Sequence, residues 1–202
     1  MEITESDIDL SNKNVHYLLM KNEKSRGNVI LVDTDGPDEW KRIRAFEKIS
    51  EWGFDIYYPW FPGKGKSAPN DIYDPFSDYT KGSQFIYDFI KKLNLKNAFL
   101  IGYSLGGEIA LKSAIDHPEK VGNIVIIGVP GLNELKYELS RINKPTMILW
   151  GKKDDVVNPA AGESFHDLIA GSVLKMMDGG HPIQFQKSDI FFSYLKPFFL
   201  DH

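Results

Sequence analysis

The chain contains no cysteine, which excludes disulfides, thiol catalysis and cysteine-ligated metal sites. It also lacks any apolar run of roughly 18 residues, so the sequence predicts no membrane-spanning helix. The opening segment, MEITESDIDL, is acidic and has neither the basic region nor the apolar run of a signal peptide. We therefore expect no association with a membrane and a cytoplasmic location.

An excess of positive charge is also missing. The 202 residues include 24 Lys and Arg against 28 Asp and Glu, which gives a net charge of −4. This balance does not favour nucleic acid as a partner. Hydrophobic residues make up 42% and charged residues 26% of the chain, as in ordinary globular proteins. The length fits a single domain, predicted to span residues 1–202.

Short apolar runs alternate along the chain with longer segments of helical period. The predicted strands are 15–20, 28–33, 54–59, 97–102, 123–128, 146–151 and 172–177, and the predicted helices are 38–52, 78–94, 105–117, 159–170 and 186–199. Several strands are apolar throughout, as expected when both faces of a parallel sheet are buried. The alternation predicts an α/β fold class, with a mostly parallel central sheet and helices on both faces. Ligands of such sheets bind at the carboxyl ends of the strands.

The segment FLIGYSLGGEIAL places Ser104 directly between a predicted strand and a predicted helix. In a strand–turn–helix elbow the serine is strained and its hydroxyl points out of the sheet. Side chains two positions before and after it would collide, and both Gly102 and Gly106 lack one. The Leu105 N–H and the helix dipole then face a developing oxyanion. The alternative is a serine that only caps a helix after a glycine-containing turn.

A serine nucleophile needs a base, normally a histidine. Position argues against four of the five histidines. His16 lies in an early strand, and His166 lies inside a predicted helix. His117 ends the helix that follows the serine, about 20 Å along its axis, and His202 is the last residue. His181 remains, in a glycine-rich loop after the last predicted strand, although it also fits an ordinary loop histidine.

The base in turn needs a carboxylate that orients it. Asp154 and Asp155 follow the predicted strand 146–151 in ILWGKKDDVVNP, between the serine and the histidine in chain order. Both also fit solvated turn residues. Their place at the carboxyl end of a strand makes one of them the candidate acid.

Taken together, these segments resemble the α/β-hydrolase family over nearly the whole chain. GYSLGG resembles the nucleophile elbow of the family, GGHPIQ its histidine loop, and WGKKDDVVNP its acid loop. The resemblance implies a catalytic Ser104, a base at His181 and an acid at Asp154, three residues after a glycine. It also implies an α/β-hydrolase fold and cleavage of small carboxylic esters through an acyl-enzyme, without metal or organic cofactor.

The loop after the strand NVILV departs from the family pattern. The family usually carries His-Gly there, and this chain carries Asp33 and Thr34. This register makes the Asp35 N–H the second oxyanion donor beside that of Leu105. The other register would use Pro37, which has no N–H. We expect the Asp35 carboxylate to point away from the oxyanion, which it would repel.

A second departure lies in YYPWFPGKGKS, where Trp60 replaces the usual acidic residue of the family. Trp60 and Phe61 are candidates to line the substrate pocket, and ordinary core packing is the alternative. The segment ends like a phosphate-binding P-loop. That motif requires a glycine at position 60, so we expect no nucleotide binding.

Many family members insert a helical cap where this chain has only residues 129–145. We therefore expect no cap domain and an open, shallow pocket for a small-molecule ester or acyl substrate. Thioesterase, lipase, amidase, acyltransferase and perhydrolase chemistry use the same triad and stay open. A second hypothesis is a non-catalytic binding or regulatory domain, favoured only by the missing His-Gly. A metal site at Asp33, Asp35 and Asp38 has no nearby histidine and is the weakest interpretation. The sequence gives no basis for predicting an oligomeric state.

Overall fold

The protein, described over residues 2–201 in a computed structural model, is built on one eight-stranded sheet. Its strands are β1 (Thr4–Leu10), β2 (Lys13–Met20), β3 (Asn28–Val32), β4 (Asp55–Pro59), β5 (Ala98–Tyr103), β6 (Val121–Ile127), β7 (Thr146–Gly151) and β8 (Val173–Met177). They lie in the order β1-β2-β4-β3-β5-β6-β7-β8. The six adjacent strands β4, β3, β5, β6, β7 and β8 run parallel to one another. Strand β2 runs antiparallel to both of its neighbours, β1 and β4. The predicted mostly parallel sheet is confirmed.

Helices cover both faces of the sheet, as predicted. They are α1 (Asp38–Arg42), α2 (Ala45–Glu51), α3 (Tyr79–Lys92), α4 (Leu105–Asp116), α5 (Leu132–Leu135), α6 (Ala160–Leu168), α7 (Ile183–Gln186) and α8 (Ser188–Leu200). In one core, helices α3, α4, α5 and α6 pack against one face of the sheet. In the other core, helices α1, α2, α7 and α8 pack against the opposite face. Strand β3 serves both, because Ile30 faces the first core and Leu31 the second.

The first strand was not predicted. Thr4–Leu10 forms an edge strand whose outward residues are polar, and it pairs only with β2. Ser11 and Asn12 join the two strands with φ values of 53° and 60°, the conformation of a tight two-residue hairpin turn. Because an edge strand buries little, its apolar pattern is weak, and the turn residues were the better signal.

The predicted helix 38–52 is two helices, α1 and α2. The break falls at Ile43 and Arg44, and Arg44 adopts a left-handed conformation with φ 58°. This kink lets Trp40 and Phe46 both reach the core, where each is fully buried. Burial of two large aromatic side chains outweighs the roughly 1–2 kcal/mol that a left-handed residue costs.

No cap domain interrupts the described fold. Between β6 and β7 the chain forms only α5 and a single 3₁₀ turn at Leu139–Arg141. The carboxyl ends of β3, β5, β6 and β7 therefore stay uncovered by an inserted domain. Within residues 2–201, no helix combines the length and the apolar character that crossing a membrane requires.

The break at Arg44 predicts an unusual order of stabilities. We expect Arg44→Gly to be more stable than Arg44→Ala by about 1 kcal/mol, because glycine adopts the left-handed conformation without a β-carbon penalty. Within α2, Lys48→Gly and Lys48→Ala provide the matched control, where alanine is the more stable by about 1 kcal/mol. Urea unfolding of the four variants checks this. If Arg44→Ala were instead more stable than Arg44→Gly, α1 and α2 would form one continuous helix through position 44.

Candidate active site

Ser104 lies in a strained turn between β5 and α4. Its backbone has φ 52° and ψ −123°, a conformation that side-chain-bearing residues adopt only when their surroundings enforce it. The Ser104 N–H donates to the Ile127 carbonyl at 2.9 Å, and the Gly107 N–H donates to the Ser104 carbonyl at 2.8 Å. The turn thus fixes the serine at the carboxyl ends of β5 and β6.

Two glycines make this turn sterically possible. A β-carbon at Gly102 would lie 2.4 Å from the Gly106 carbonyl oxygen, and one at Gly106 would lie 1.9 Å from the Val32 carbonyl oxygen. Both distances are far below any real contact, so no larger residue fits without displacing backbone. The close approach presses the first turn of α4 against the end of β3. It brings the serine next to the loop at residues 33–36.

Asp154 and His181 form a hydrogen-bonded pair. Asp154 Oδ2 lies 2.8 Å from His181 Nδ1, and both residues are buried. The other oxygen, Oδ1, accepts the N–H groups of Val156 and Val157 at 2.9 and 2.8 Å, which fixes the orientation of the carboxylate. Asp155 is exposed and makes no such contact. The structure therefore places Asp154, and not Asp155, against the histidine.

The loops that carry this pair are packed backbone to backbone. A β-carbon at Gly151, where β7 ends, would lie 2.2 Å from the Gly180 carbonyl oxygen. The Lys153 N–H donates to the Gly179 carbonyl at 2.9 Å. Gly128, one residue after the hydrogen-bond partner of the serine, leaves room for the imidazole, because a β-carbon there would lie 3.0 Å from the His181 ring.

Ser104 and His181 lie in chain segments at the same edge of the sheet. The ring of Tyr103, the residue before Ser104, lies 5.2 Å from the His181 ring. Within residues 2–201 the Ser104 hydroxyl makes no hydrogen bond, so the contact to His181 is not formed here. Such bonds often tighten only when substrate binds.

The other histidines have different partners. His16 contacts Asp7, His117 stacks on Tyr87 at 3.9 Å, and His166 contacts Ser172. His202 lies outside the described residues. His181 is the histidine that the fold brings to the serine.

The oxyanion loop differs from the expectation in one respect. The Asp35 N–H, expected to serve as a donor at the serine, instead donates to Asp33 Oδ1 at 2.9 Å. The physical reason is the aspartate in the place of the family's histidine, because an Asp side chain readily accepts the N–H two residues on. The Asp35 side chain itself is exposed. Leu105 keeps its position as the first N–H of α4, where no intrahelical acceptor exists.

The sequence drew attention to Asp33 only for its place in the oxyanion loop and as a weak metal ligand, and the structure makes it a functional candidate in its own right. It is 3% exposed, and its Oδ2 accepts the indole N–H of Trp40 at 2.6 Å. Burial raises its pKa from 3.8 to about 6, against the opposing effect of its hydrogen bonds from Asp35 and Trp40. The sequence signal was present, since a carboxylate directly after a buried strand is unusual unless the site uses it.

A cavity of about 460 Å³ opens beside this loop. Its aromatic walls are Trp60, Tyr103 and Phe185, and Asp33 also lines it. Trp60 thus lies where the sequence predicted a pocket residue. Phe61 does not, because it is 1% exposed and packs in the core against Phe85. Trp60 also packs against the second core, so the alternative of ordinary core packing applies to Phe61 in full and to Trp60 in part.

No three His, Cys, Asp or Glu side chains within the described chain are arranged to hold a metal ion. Asp33, Asp35 and Asp38 lie near one another around the cavity, but they do not form such a group. The metal interpretation of this acidic segment therefore receives no support from the described residues.

Comparison with known proteins shows the family of the fold. A model of the alpha/beta hydrolase fold matches residues 34–137. Protein ABHD14A of Rattus norvegicus is 26% identical over 164 residues, which cover 81% of this chain and 66% of that protein. A 2-hydroxy-6-oxononadienedioate/2-hydroxy-6-oxononatrienedioate hydrolase of a Pseudomonas species is 28% identical over 133 residues, 63% of this chain and 44% of the enzyme. The chain thus spans less than two thirds of the length of either relative.

A solved structure matches the entire fold. The crystal structure of a predicted CIB-like hydrolase from Thermoplasma acidophilum superposes with a TM-score of 0.93 and 26% sequence identity, over 100% of both chains. Its full coverage agrees with the absence of a cap domain.

The buried Asp33 predicts a dependence of stability on pH. Because its pKa is raised on folding, the folded state binds more protons than the unfolded state between pH 3.8 and about 6. Its ionisation therefore lowers the free energy of unfolding by about 3 kcal/mol as pH rises through this window. Asp33→Asn removes this loss.

Urea unfolding at pH 4 and pH 7.5 measures the effect as the difference between the wild type and the variant. The exposed Asp71→Asn is the matched control, for which the wild-type pH dependence is retained. An unchanged pH dependence in Asp33→Asn would contradict the assigned burial of the Asp33 charge.

Proposed function

Since the chain belongs to the α/β-hydrolase family, we propose that it is a serine esterase that cleaves small carboxylic esters through an acyl-enzyme on Ser104. One observation carries the proposal. A buried, hydrogen-bonded Asp154–His181 pair stands at the edge of the sheet where a strained serine turn ends β5. A scaffold without catalysis has no need for all three groups. The hydrolases among the similar proteins support the same reaction class.

In the proposed reaction His181 Nε2 takes the proton of the Ser104 hydroxyl as its oxygen attacks the ester carbonyl. The tetrahedral intermediate collapses, the ester C–O bond breaks, and the imidazolium returns the proton to the departing alcohol. A water molecule, deprotonated by the same imidazole, then attacks the acyl-enzyme. The carboxylic acid leaves, and the serine recovers its proton.

Asp154 keeps the imidazole in the required tautomer. Its Oδ2 accepts the Nδ1–H, so that Nε2 faces the serine as an acceptor. Its negative charge also stabilises the imidazolium that forms in each half-reaction. The two backbone N–H groups bound to Oδ1 hold the carboxylate in place without a cation.

Oxyanion stabilisation rests on the start of α4. The Leu105 N–H and the positive end of the helix dipole face the position of the carbonyl oxygen. With the Asp35 N–H bound to Asp33, the proposal relies on the Leu105 N–H as the backbone donor of this hole. A missing donor costs about 10²–10³ in rate. The proposal therefore predicts a modest rate of hydrolysis for unactivated esters.

The absence of a cap sets the class of acyl group. Neighbouring Val156 is 68% exposed, so the side of the site formed by the acid loop is open to solvent. An open site buries little of a long acyl chain, and each unburied methylene forfeits about 0.8 kcal/mol. Short acyl chains are therefore the favoured substrates.

The nucleophile assignment predicts a complete loss of covalent labelling. Ser104→Ala removes the only atom that attacks, so a fluorophosphonate probe no longer labels the protein and p-nitrophenyl acetate is no longer hydrolysed above background. Mass spectrometry of the intact protein measures the labelling. Ser113→Ala, in the same helix, is the matched control and retains labelling. Labelling that survives Ser104→Ala would refute the proposal.

The acid assignment predicts that two adjacent aspartates behave differently. We expect Asp154→Asn to lower kcat by about 10²–10⁴, because the amide no longer holds the neutral imidazole in the active tautomer. Asp155→Asn changes an exposed neighbour and leaves kcat within twofold of the wild type. Steady-state kinetics with p-nitrophenyl acetate checks both. Equal losses in the two variants would contradict the assignment.

A further inference from the structure

The cavity beside the oxyanion loop has a feature that ester hydrolysis does not require. Four carboxylates line it, from Asp33, Asp35, Asp38 and Glu39, against one cation, Arg42. The Arg42 guanidinium is already bound to Glu39, with hydrogen bonds from Nε and Nη2 at 2.6–3.1 Å. Three carboxylates around one cavity therefore lack a counter-charge. Within residues 2–201 no ion pair joins any of the three to a Lys, Arg or His.

Asp33 makes this imbalance costly. The residue is only 3% exposed, and it lines the cavity. Buried charges in proteins are normally paired with an opposite charge. The Asp33 carboxylate accepts N–H groups from Asp35 and Trp40, and a backbone hydrogen bond from Thr34 also acts on it, but none of these donors carries a charge. A cation inside the cavity would supply the missing counter-charge.

The walls fit a cation that carries alkyl groups. Trp60 is held between two glycines, because β-carbons at Gly65 and Gly36 would lie 2.5 and 3.3 Å from its ring. Phe185 packs edge-on against Tyr103, with ring centroids 5.8 Å apart. Faces of fixed aromatic rings attract organic ammonium groups. The volume of about 460 Å³ lies within the range of small-molecule sites.

The location of the cavity indicates which part of a substrate it would hold. Its lining includes Tyr103 and Pro182, the chain neighbours of Ser104 and His181. In the proposed reaction His181 returns its proton to the departing alcohol, so the alcohol lies on the histidine side of the serine. A group in the cavity is therefore part of the alcohol rather than of the acyl chain.

We propose that this cavity binds an alkylammonium group carried by the alcohol portion of the ester substrate. That the cation belongs to an ester substrate rests on the proposed esterase function. That the cavity binds an organic cation rests on the cavity alone. It assigns the three unpaired carboxylates and the aromatic walls to substrate selection. Anionic alcohol portions are excluded by the same charges.

Two esters of nearly equal shape provide the test. Acetylcholine and 3,3-dimethylbutyl acetate differ in a quaternary nitrogen against a quaternary carbon, so only the charge changes. We expect kcat/KM to be about tenfold or more higher for acetylcholine, mainly through a lower KM. Asp33→Asn and Asp38→Asn each reduce this ratio, while the exposed Asp71→Asn keeps it. Equal kcat/KM values for the two esters would overturn the inference and leave the esterase proposal intact.

A binding measurement separates the two proposals. Ser104→Ala is titrated with phenyltrimethylammonium and with neutral tert-butylbenzene, and quenching of tryptophan fluorescence is followed. We expect the cation, and not the neutral compound, to quench the tryptophan fluorescence of Ser104→Ala. We expect this quenching to be lost in the double variant that carries both Ser104→Ala and Trp60→Phe. Cation binding without hydrolysis of either ester would uphold the cavity and reject the esterase. No binding of the cation would overturn the cavity assignment whatever the esters do.

Discussion

The contact between Gly106 and the end of β3 is the constraint on which the site depends. A β-carbon at position 106 would lie 1.9 Å from the Val32 carbonyl oxygen, so only glycine lets α4 begin there. This approach fixes Ser104 in its strained turn and brings the positive end of α4 to the carboxyl edge of the sheet. It also sets the distance between the serine and the loop that begins at Asp33. The strain at Ser104 is sustained by the packing of α4 into the first core.

In the loop that follows β3 at the same edge, Asp33 combines two opposing effects. Its carboxylate organises the loop by holding the Asp35 N–H and the Trp40 indole. The same bond withdraws the Asp35 N–H from the oxyanion, and burial of the charge costs folding free energy. A residue that destabilises the fold and weakens the oxyanion hole has a compensating use in the site. Binding of a cationic group in the adjoining cavity gives Asp33 such a use.

Much of the fold and of the site was predictable from local sequence. Seven strands and the main helices follow from apolar runs and helical periodicity, because buried parallel strands and amphipathic helices leave strong patterns. The edge strand Thr4–Leu10 and the break at Arg44 were not predicted, since one buries too little to leave a pattern and the other depends on where Trp40 and Phe46 find room. Ser104 and His181 were predicted because their types and positions in strand–loop junctions are uncommon. The bond between Asp33 and Asp35 was missed because it depends on the conformation of four residues.

The sequence by itself determined the α/β architecture, the turn that requires glycine on both sides of Ser104, and the chain order of serine, aspartate and histidine. These are properties of short segments, governed by steric limits and periodicity. Only the tertiary structure decided that the Asp35 N–H is bound to Asp33, and that Trp60 borders a cavity while Phe61 lies in the core. Each of these distinguishes adjacent or near-adjacent residues. Such choices depend on the direction of a side chain, which is set by atoms far away in sequence.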